Sequence, residues 1–439
     1  VAKIRVLPAD DTTNGWSRIL PPREPRPALA GDRRADWLVV GAGFTGLAAA
    51  RRLAENRPGD EIVLLEAQQV GEGASGRNSG FAIDLPHNVG NTLEELQASR
   101  RFMDLGRAAI AYLEAGIKAG GFDCGWAQRG KYHSAVSPRG AKTVLEPIVK
   151  ELEALGEPYR WLDRDALAAE IGTAYHHAAV YTPGCMLMNP AALTRGLSDS
   201  LSENITLHEN SPVIETDYRN GIRLTTPKGS VFAPKMILAA NGFASQFGFF
   251  PGRLLIFAAH ASLSRPLTAA ERQALGGNDD WGVTPVNAFA GVTMRFTRDR
   301  RILIRQRFTY GPSFRRSDAD RRAVRRRHEA ALRRRFPMLP EVSLEHTWTG
   351  FVCLSRNHAP GFGRVAPNIT AAVCQNAIGV TRGTISGLLA ADLATGRDNP
   401  MIADLEDLGQ PDKLPPRPVL DIGVEARLAW ELWSNRAER

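Results

Sequence analysis

Cysteine is scarce in this sequence and badly placed for cooperation. Cys124, Cys185, Cys353 and Cys374 are spread through 439 residues with no CxxC pair. That excludes a disulfide scaffold or a zinc-ribbon spacing and suits reduced thiols in a cytoplasm. The nine histidines form no HExxH and no compact ligand cluster, so no metal is expected. The closest approaches are His176–His177 and the looser His346/His358, which isolated surface histidines explain. No apolar run nears the roughly 18–20 residues of a membrane span. The first residues lack the charged-then-apolar order of a secretory signal, so a cytoplasmic location is expected. No motif recurs at a fixed period, which argues against solenoids and propellers. What remains is an ordinary globular balance, 43% hydrophobic and 23% charged, with length for two or three domains.

Negative charge is also in deficit. The net charge is +8, and sixteen arginines fall between residues 295 and 335, including Arg325–Arg327 and Arg333–Arg335. A polybasic run can mark a nucleic-acid or membrane footprint. From Asp318 to Phe336, however, Ala323, Val324, Ala331 and Leu332 fall on one side with charge elsewhere, as on a surface helix. Steering of an anionic substrate and a partner surface are the other uses of such a face. No stacking aromatics accompany these arginines, so nucleic acid is not an expected partner.

Residues 1–35 read as an extension whose proline-rich part, Leu20–Pro27, runs over the surface. The pattern then changes. Trp37–Val40 is a short apolar strand, Gly41-Ala-Gly-Phe-Thr-Gly46 follows at once, Leu47–Glu55 is helical and Glu61–Glu66 is a second strand. Strand, glycine turn, helix and strand within about thirty residues make a dinucleotide βαβ unit. Gly41 permits the tight turn, Gly43 lets backbone approach a pyrophosphate and Gly46 lets the helix pack closely. The helix N-terminus offers N–H groups to phosphate. Glu66 can accept hydrogen bonds from both ribose hydroxyls, which disfavours a 2′-phosphate. The loop Gly71–Gly80 concentrates Ser75, Gly76, Arg77, Asn78 and Ser79, donors that can approach a cofactor; in NAD dehydrogenases the chain usually enters another helix here.

Beyond it, residues 91–120, 143–155 and 164–171 read as helix and 125–135 as strand. Strands are expected over 205–224 with a hairpin at Asn220-Gly221, at 236–242, and through most of 254–310. Residues 373–394 read as strand, loop and long helix. The fold class is therefore α/β, a nucleotide domain interrupted by a sheet-containing second domain.

These motifs together resemble the D-amino-acid oxidase/glycine oxidase superfamily of FAD-dependent oxidoreductases, and within it the γ-glutamylputrescine oxidase-like branch. The likeness rests on Asp36–Gly46, Gly73–Gly80, Met188-Asn-Pro190, the strand pair around Val213, Leu238–Gly242, Trp348-Thr-Gly350, Ala359–Arg364 and Gln375–Gly396. It implies a Rossmann-like FAD-binding domain of the GR2 type, interleaved with an antiparallel-sheet α+β substrate domain. The implied division is an extension at 1–35, FAD-binding segments at 36–90, 160–250 and 345–400, substrate segments at 91–159 and 251–344, and a tail at 401–439.

By the same resemblance Gly41, Gly43, Phe44, Thr45 and Gly46 hold the FAD pyrophosphate, and Glu66 and Ala67 border the adenosine ribose. Ser75–Ser79 contact phosphates and the isoalloxazine edge. Val213 meets adenine, and Ala240 and Gly242 lie on the pyrophosphate side. Gly379, Val380 and Thr381 meet the flavin pyrimidine, where a helix starting near Thr384 points its positive end. The chain departs from the family in reading Ala377-Ile378-Gly379 where Gly-His-Gly is common. It also has no lysine in Arg301–Arg305, where sarcosine oxidases carry one for oxygen activation, which leaves oxygen or another electron acceptor open. Cys353 falls near a position that tethers flavin in some sarcosine oxidases; a buried, unreactive cysteine and non-covalent FAD are the plainer reading.

The implied reaction passes a hydride from the α-carbon of a neutral amine to flavin N5, after which the imine hydrolyses. The protein then has mainly to orient the substrate and exclude water. Arginine meets a carboxylate with two hydrogen bonds. Arg305 and Arg382 are the leading orienting residues, with Tyr132 and His260 behind them. The expected substrate is a small amine or amino acid: a carboxylate-bearing secondary amine, an amino acid or a γ-glutamyl polyamine. The rival is an RNA-associated flavoprotein of the same superfamily using the arginine-rich helix.

Overall fold

A computed structural model describes residues 1–9, 11–86 and 93–439. Residues 87–92, where the first FAD-binding segment was expected to end and the 91–120 helix to begin, lie outside the described residues. Two sheets organise the molecule. The six-stranded sheet has the order Ile205–His208, Ile62–Leu65, Trp37–Val40, Lys235–Leu238, Ile369–Val373, Gly361–Ala366. Its first five strands pair in parallel, and only the last is antiparallel. Trp37–Val40 and Ile62–Leu65 are buried along their whole length, as strands covered on both faces must be. The helices Phe44–Asn56 and Thr381–Thr395 pack there, sharing one core with Val39, Leu64 and Ile237.

The eight-stranded sheet has the order Leu344–Leu354, Leu255–Ser264, Ile302–Tyr310, Val292–Phe296, Trp281–Pro285, Lys131–Ala135, Ala178–Thr182, Arg160–Asp163. One junction is parallel, Trp281–Pro285 with Lys131–Ala135. Three segments expected with the nucleotide strands thus pair in the larger sheet: Arg160–Asp163, Ala178–Thr182 and Leu344–Leu354. Pairing of Ala178–Thr182 with Lys131–Ala135 and of Leu344–Leu354 with Leu255–Ser264 decides this, and local pattern does not carry it.

The expected hairpin forms, with Glu215–Asp217 against Ile222–Thr226 and Gly221 at φ +92°. The arginine-rich segment is a helix over Asp318–Arg335, with Val324, Ala331 and Leu332 buried as the pattern required. The extension is more than a surface run. Ala2–Lys3 and Gly31–Arg34 are strands of a five-stranded sheet, and Trp16 is buried against Trp348. Leu20–Pro27 does lie at the surface, pinned where Glu209 receives the Arg23 guanidinium and the Arg26 amide. The tail is also structured: the helix Val419–Ser434 sets Leu428 among Phe257, Phe308 and Tyr310.

His176, His260 and His328 are all buried, and burial pushes their imidazoles down to about 3, 4 and 3. In the unfolded chain they titrate near ~6.5. Below that value the unfolded chain binds protons that the folded chain refuses. Stability is therefore complete above roughly pH 6.5 and lost progressively as pH falls toward about 4. The loss amounts to about 2 kcal/mol per histidine at about pH 5. Thermal melts should show a lower Tm at about pH 5 than at about pH 7.5, a window above most carboxylate titration. A His328→Gln variant should narrow the gap, and identical melting temperatures at both values would contradict the account.

Candidate active site

The two helices that flank the glycine turn meet at van der Waals limits. A Cβ on Gly46 would stand 1.7 Å from the Gly41 carbonyl oxygen, and one on Gly387 would stand 2.0 Å from that of Thr45. Both clashes are with backbone, so only glycine fits. Gly43 is different. A Cβ there would fall 2.6 Å from Ser75 Oγ, on the side open to a cavity. That cavity of about 1000 Å³ lies beside the glycine turn and reaches the large sheet. Small-molecule and cofactor sites reach roughly this size.

Its nucleotide end is built from the turn and the loop after the second strand. The Ser75 hydroxyl accepts from the Phe44 amide at 3.0 Å. The Glu66 carboxylate accepts from the Ala42 amide at 2.8 Å and the Gln68 amide at 3.0 Å. Burial raises its pKa, the neighbouring Glu209 adds to this, and the amides oppose it. The loop itself is held from outside. Asn14 Nδ2 donates to the Gly71 and Gly76 carbonyls at 2.9 and 3.1 Å, Trp16 Nε1 to Asn78 at 2.8 Å, and Trp348 Nε1 to Arg77 at 3.0 Å. Arg77 is turned into the protein, bonding the Glu72 and Thr349 carbonyls and pairing with Asp11 and Glu72.

The opposite end is the loop before the last helix. Cys374, Asn376 and Ala377 have φ of +59°, +49° and +67°. Such conformations cost energy in non-glycine residues and need outside support. Asn376 supplies it, accepting from the Ser355 amide and donating to the carbonyls of His358, Ala359 and Cys374. The helix begins at Thr381, three residues earlier than expected, and no side chain caps it.

Of the residues expected to hold FAD, Gly41, Gly43, Phe44, Thr45, Glu66, Ala67, Ser75, Arg77, Asn78, Ser79, Val213, Ala240, Gly242, Gly379 and Val380 line this one cavity. Gly46, Gly76 and Thr381 do not. Gly46 and Gly76 lie where backbone crosses backbone, and the Thr381 hydroxyl donates to the Ile83 carbonyl. Arg305 and Arg382 line the cavity, whereas Tyr132 and His260, expected behind them, do not. Tyr132 belongs to the core with Trp281 and Phe336, its hydroxyl on Glu170 at 2.5 Å. His260 is buried between the hydroxyls of Thr349 and Thr309, both at 3.0 Å. Alternation along a strand fixes which residues share a face, but not which face meets the cavity.

Cys353 lines the cavity and is buried beside Cys374; that contact and burial raise its thiol pKa well above the ordinary value. Sequence reasoning missed the walls from both chain ends, Ile4, Val6 to Ala9 and Glu431, and the aromatic residues Phe102, Phe289, Phe308, Phe314 and Phe351. Trp16 in an otherwise polar extension was the available signal for the first. Among the described residues no group of acids, histidines or cysteines could hold a metal, and no helix is long and apolar enough to cross a membrane.

A parallel sheet whose glycine turn, acidic strand end and uncapped helix starts meet at one elongated cavity defines a flavin-nucleotide oxidoreductase. The chain belongs to the FAD dependent oxidoreductase family, which it matches over residues 36–393. It is 25% identical over 410 residues to the probable oxidoreductase OrdL of Haemophilus influenzae, covering 91% of each chain. It is 27% identical over 376 residues to the γ-glutamylputrescine oxidoreductase of Escherichia coli, covering 82% of this chain and 84% of that one. Glycine oxidase from Geobacillus kaustophilus shares the fold with a TM-score of 0.72 at 18% identity, over 88% of this chain and 100% of that one. FAD is thus the cofactor, and the residues present suit it: a Cβ-free approach at Gly43, an acid at the strand end and donors at two helix starts.

Glu66→Ala removes a charged acceptor at the nucleotide end. FAD affinity, read by titrating apoprotein against flavin fluorescence, should fall about 10- to 100-fold. Unchanged affinity would place the ribose elsewhere.

Proposed function

We propose that the chain oxidises the C–N bond of a small amine or amino acid that carries a carboxylate, with Arg305 and Arg382 orienting that carboxylate. The observation that carries this reading is two cavity-lining guanidinium groups without an acid. Arg305 lies 4.6 Å over the Phe308 ring and donates to the Ala288 carbonyl at 2.9 Å. Arg382 lies 4.9 Å over Phe102 and donates to the His358 carbonyl at 3.4 Å. Neither has a carboxylate partner among the described residues. Burial pushes both guanidinium groups down to about 10, so both remain charged at neutral pH. A half-buried cation that meets only a ring and one carbonyl is under-compensated, and an incoming carboxylate supplies an acceptor while completing its burial.

Bound FAD supplies the two-electron acceptor for the hydrogen leaving the α-carbon. The chain's own residues then have three tasks. The arginines fix the carboxylate, and so fix where the α-carbon sits. Phe289, Phe308, Phe314 and Phe351 make an apolar wall that keeps water from the reacting end. The start of the helix Thr381–Thr395 places a positive dipole end at the cavity, which favours gain of negative charge there. A γ-glutamyl polyamine, the kind of substrate named for the Escherichia coli relative, bears a carboxylate and satisfies the same demand.

Anaerobic mixing of the holoenzyme with amines, amino acids and glutamylated polyamines should bleach the flavin only with carboxylate-bearing members. Arg305→Met and Arg382→Met should each raise the half-saturating concentration of those substrates roughly 30- to 1000-fold, the loss expected for one partner of a buried charge pair. Equal bleaching by amines with and without a carboxylate would sink the arginine roles. No bleaching by any amine would sink the C–N assignment itself.

A further inference from the structure

Ile4, Val6, Leu7, Pro8, Ala9 and Asp11 line the cavity, although the stretch that matches the family begins only at residue 36. Along Ile4–Val6 the side chains alternate as an extended chain requires. Ile4 and Val6 are half-buried and line the cavity, while Arg5 between them is exposed and does not. Leu7 and Pro8 continue the half-buried apolar side. The segment starts at one wall of the nucleotide end, where Ile4 packs with Val213 and Phe247. It ends at another, the loop of Arg77, whose Ser75 meets the glycine turn. Because the residues between also line the cavity, the segment spans from one wall to the other.

It is fastened at its two ends. At the first, the two-residue strand Ala2–Lys3 pairs with Glu215 and Thr216, and the Ile4 amide donates to the Ile214 carbonyl at 2.9 Å. The Arg5 and Val6 amides donate to Gln246 Oε1 at 3.3 and 3.4 Å, longer than the roughly 2.7–3.2 Å of strong amide bonds. At the second, Asp11 pairs with Arg77 at 2.8 Å and accepts from the Thr13 amide and hydroxyl at 3.2 and 2.7 Å. Leu7, Pro8 and Ala9 make no hydrogen bond among the described residues. The cofactor loop opposite is built otherwise, with Asn14, Trp16 and Trp348 each holding carbonyls along its length. A segment with few contacts between its anchors opens locally at low cost.

We propose that Ile4–Ala9 is a strap over the nucleotide end of the cavity, which lifts to admit or release FAD and closes on the cofactor once it is bound. Its apolar side chains face a cavity whose polar groups at this end are those of the glycine turn and Glu66. A bound nucleotide covers that apolar side and so favours the closed strap. The strap is therefore a gate as well as a contact, and the two roles differ in rate. A contact that only stabilises bound FAD slows its release. A gate slows uptake too, because lifting precedes both.

The test follows FAD release from the full-length holoenzyme on dilution and FAD uptake by the full-length apoprotein, both by flavin fluorescence. With the unaltered protein the uptake rate should level off as FAD concentration rises, at the rate of lifting. Gln246→Ala removes the acceptor of two strap amides from outside the cavity, and Asp11→Ala unfastens the far end. Each should speed release and raise the uptake plateau about 3- to 10-fold, the loss of one or two hydrogen bonds. A second reading needs no variant. Trypsin cleavage after the exposed Arg5, followed by mass, should be about tenfold slower or more with saturating FAD than without it. The proposal is overturned if uptake stays linear in FAD concentration, if the variants change release alone or neither rate, or if Arg5 is cut equally fast with and without FAD. It is also overturned if the variants change only the half-saturating concentration of an amine substrate, which would place the segment at the substrate end.

Discussion

Two helices crossing at glycine set the geometry on which the site depends. Thr45 and Gly387 approach so closely that no side chain fits between them, and Gly46 seats the first helix on its own turn by the same means. The crossing is fastened by Asp392, which accepts from Arg52 Nε and Nη2 at 2.7 and 3.1 Å, and from Asn56 and Asn399 at 2.8 Å each. Those hydrogen bonds and the Arg52 charge hold its carboxyl below the ordinary value although burial alone would raise it. A helix is stiff over this length, so fixing the crossing fixes both N-termini. Gly43–Phe44 and Gly379–Val380 consequently open onto one cavity although more than three hundred residues separate them in sequence.

What could be read from the sequence follows from how far each constraint reaches along the chain. The glycine turn, Glu66 and the loop from Gly71 to Gly80 lie within forty residues of one another, and their chemistry is dictated locally. The helix over Asp318–Arg335 was legible for the same reason, since its buried residues recur within its own turns. The placement of Tyr132 and His260 away from the cavity is not legible in the sequence, because period-two alternation is symmetric between the faces of a sheet. The side that meets the cavity is chosen by strand order, which here places Lys131–Ala135 beside Trp281–Pro285. No local pattern announces that pairing.

The two chain ends were hidden by composition. Proline and charge made the first 35 residues look detached, yet Asn14 and Trp16 hold carbonyls of the cofactor loop. Without them a glycine-rich segment would retain the freedom that its composition allows. With Asn14, Trp16 and Trp348 occupying carbonyls on the outside, the loop becomes one wall of a defined cavity. The tail does similar work at the opposite end. Glu431 lines the cavity while bonded to Asn287 and Asn435 and paired with Arg427.

The arginine excess resolves into distinct environments, and environment decides what each guanidinium can do. Arg295 is fully enclosed, yet it donates to the Gly80 and Met188 carbonyls and pairs with Asp280. Its charge is spent on holding the cofactor loop against the large sheet. Arg305 and Arg382 are half-buried in the cavity wall and meet only rings and a single carbonyl each. Burial without an acid leaves them with an unmet demand that an anion in the cavity can satisfy. Arg322, Arg326 and Arg333 also lack acids among the described residues, but water solvates them, so each attracts an anion only weakly. The same residue type therefore braces a loop, stands acid-free in a cavity wall or is solvated at the surface, according to how much water and how many carboxylates its neighbours leave it.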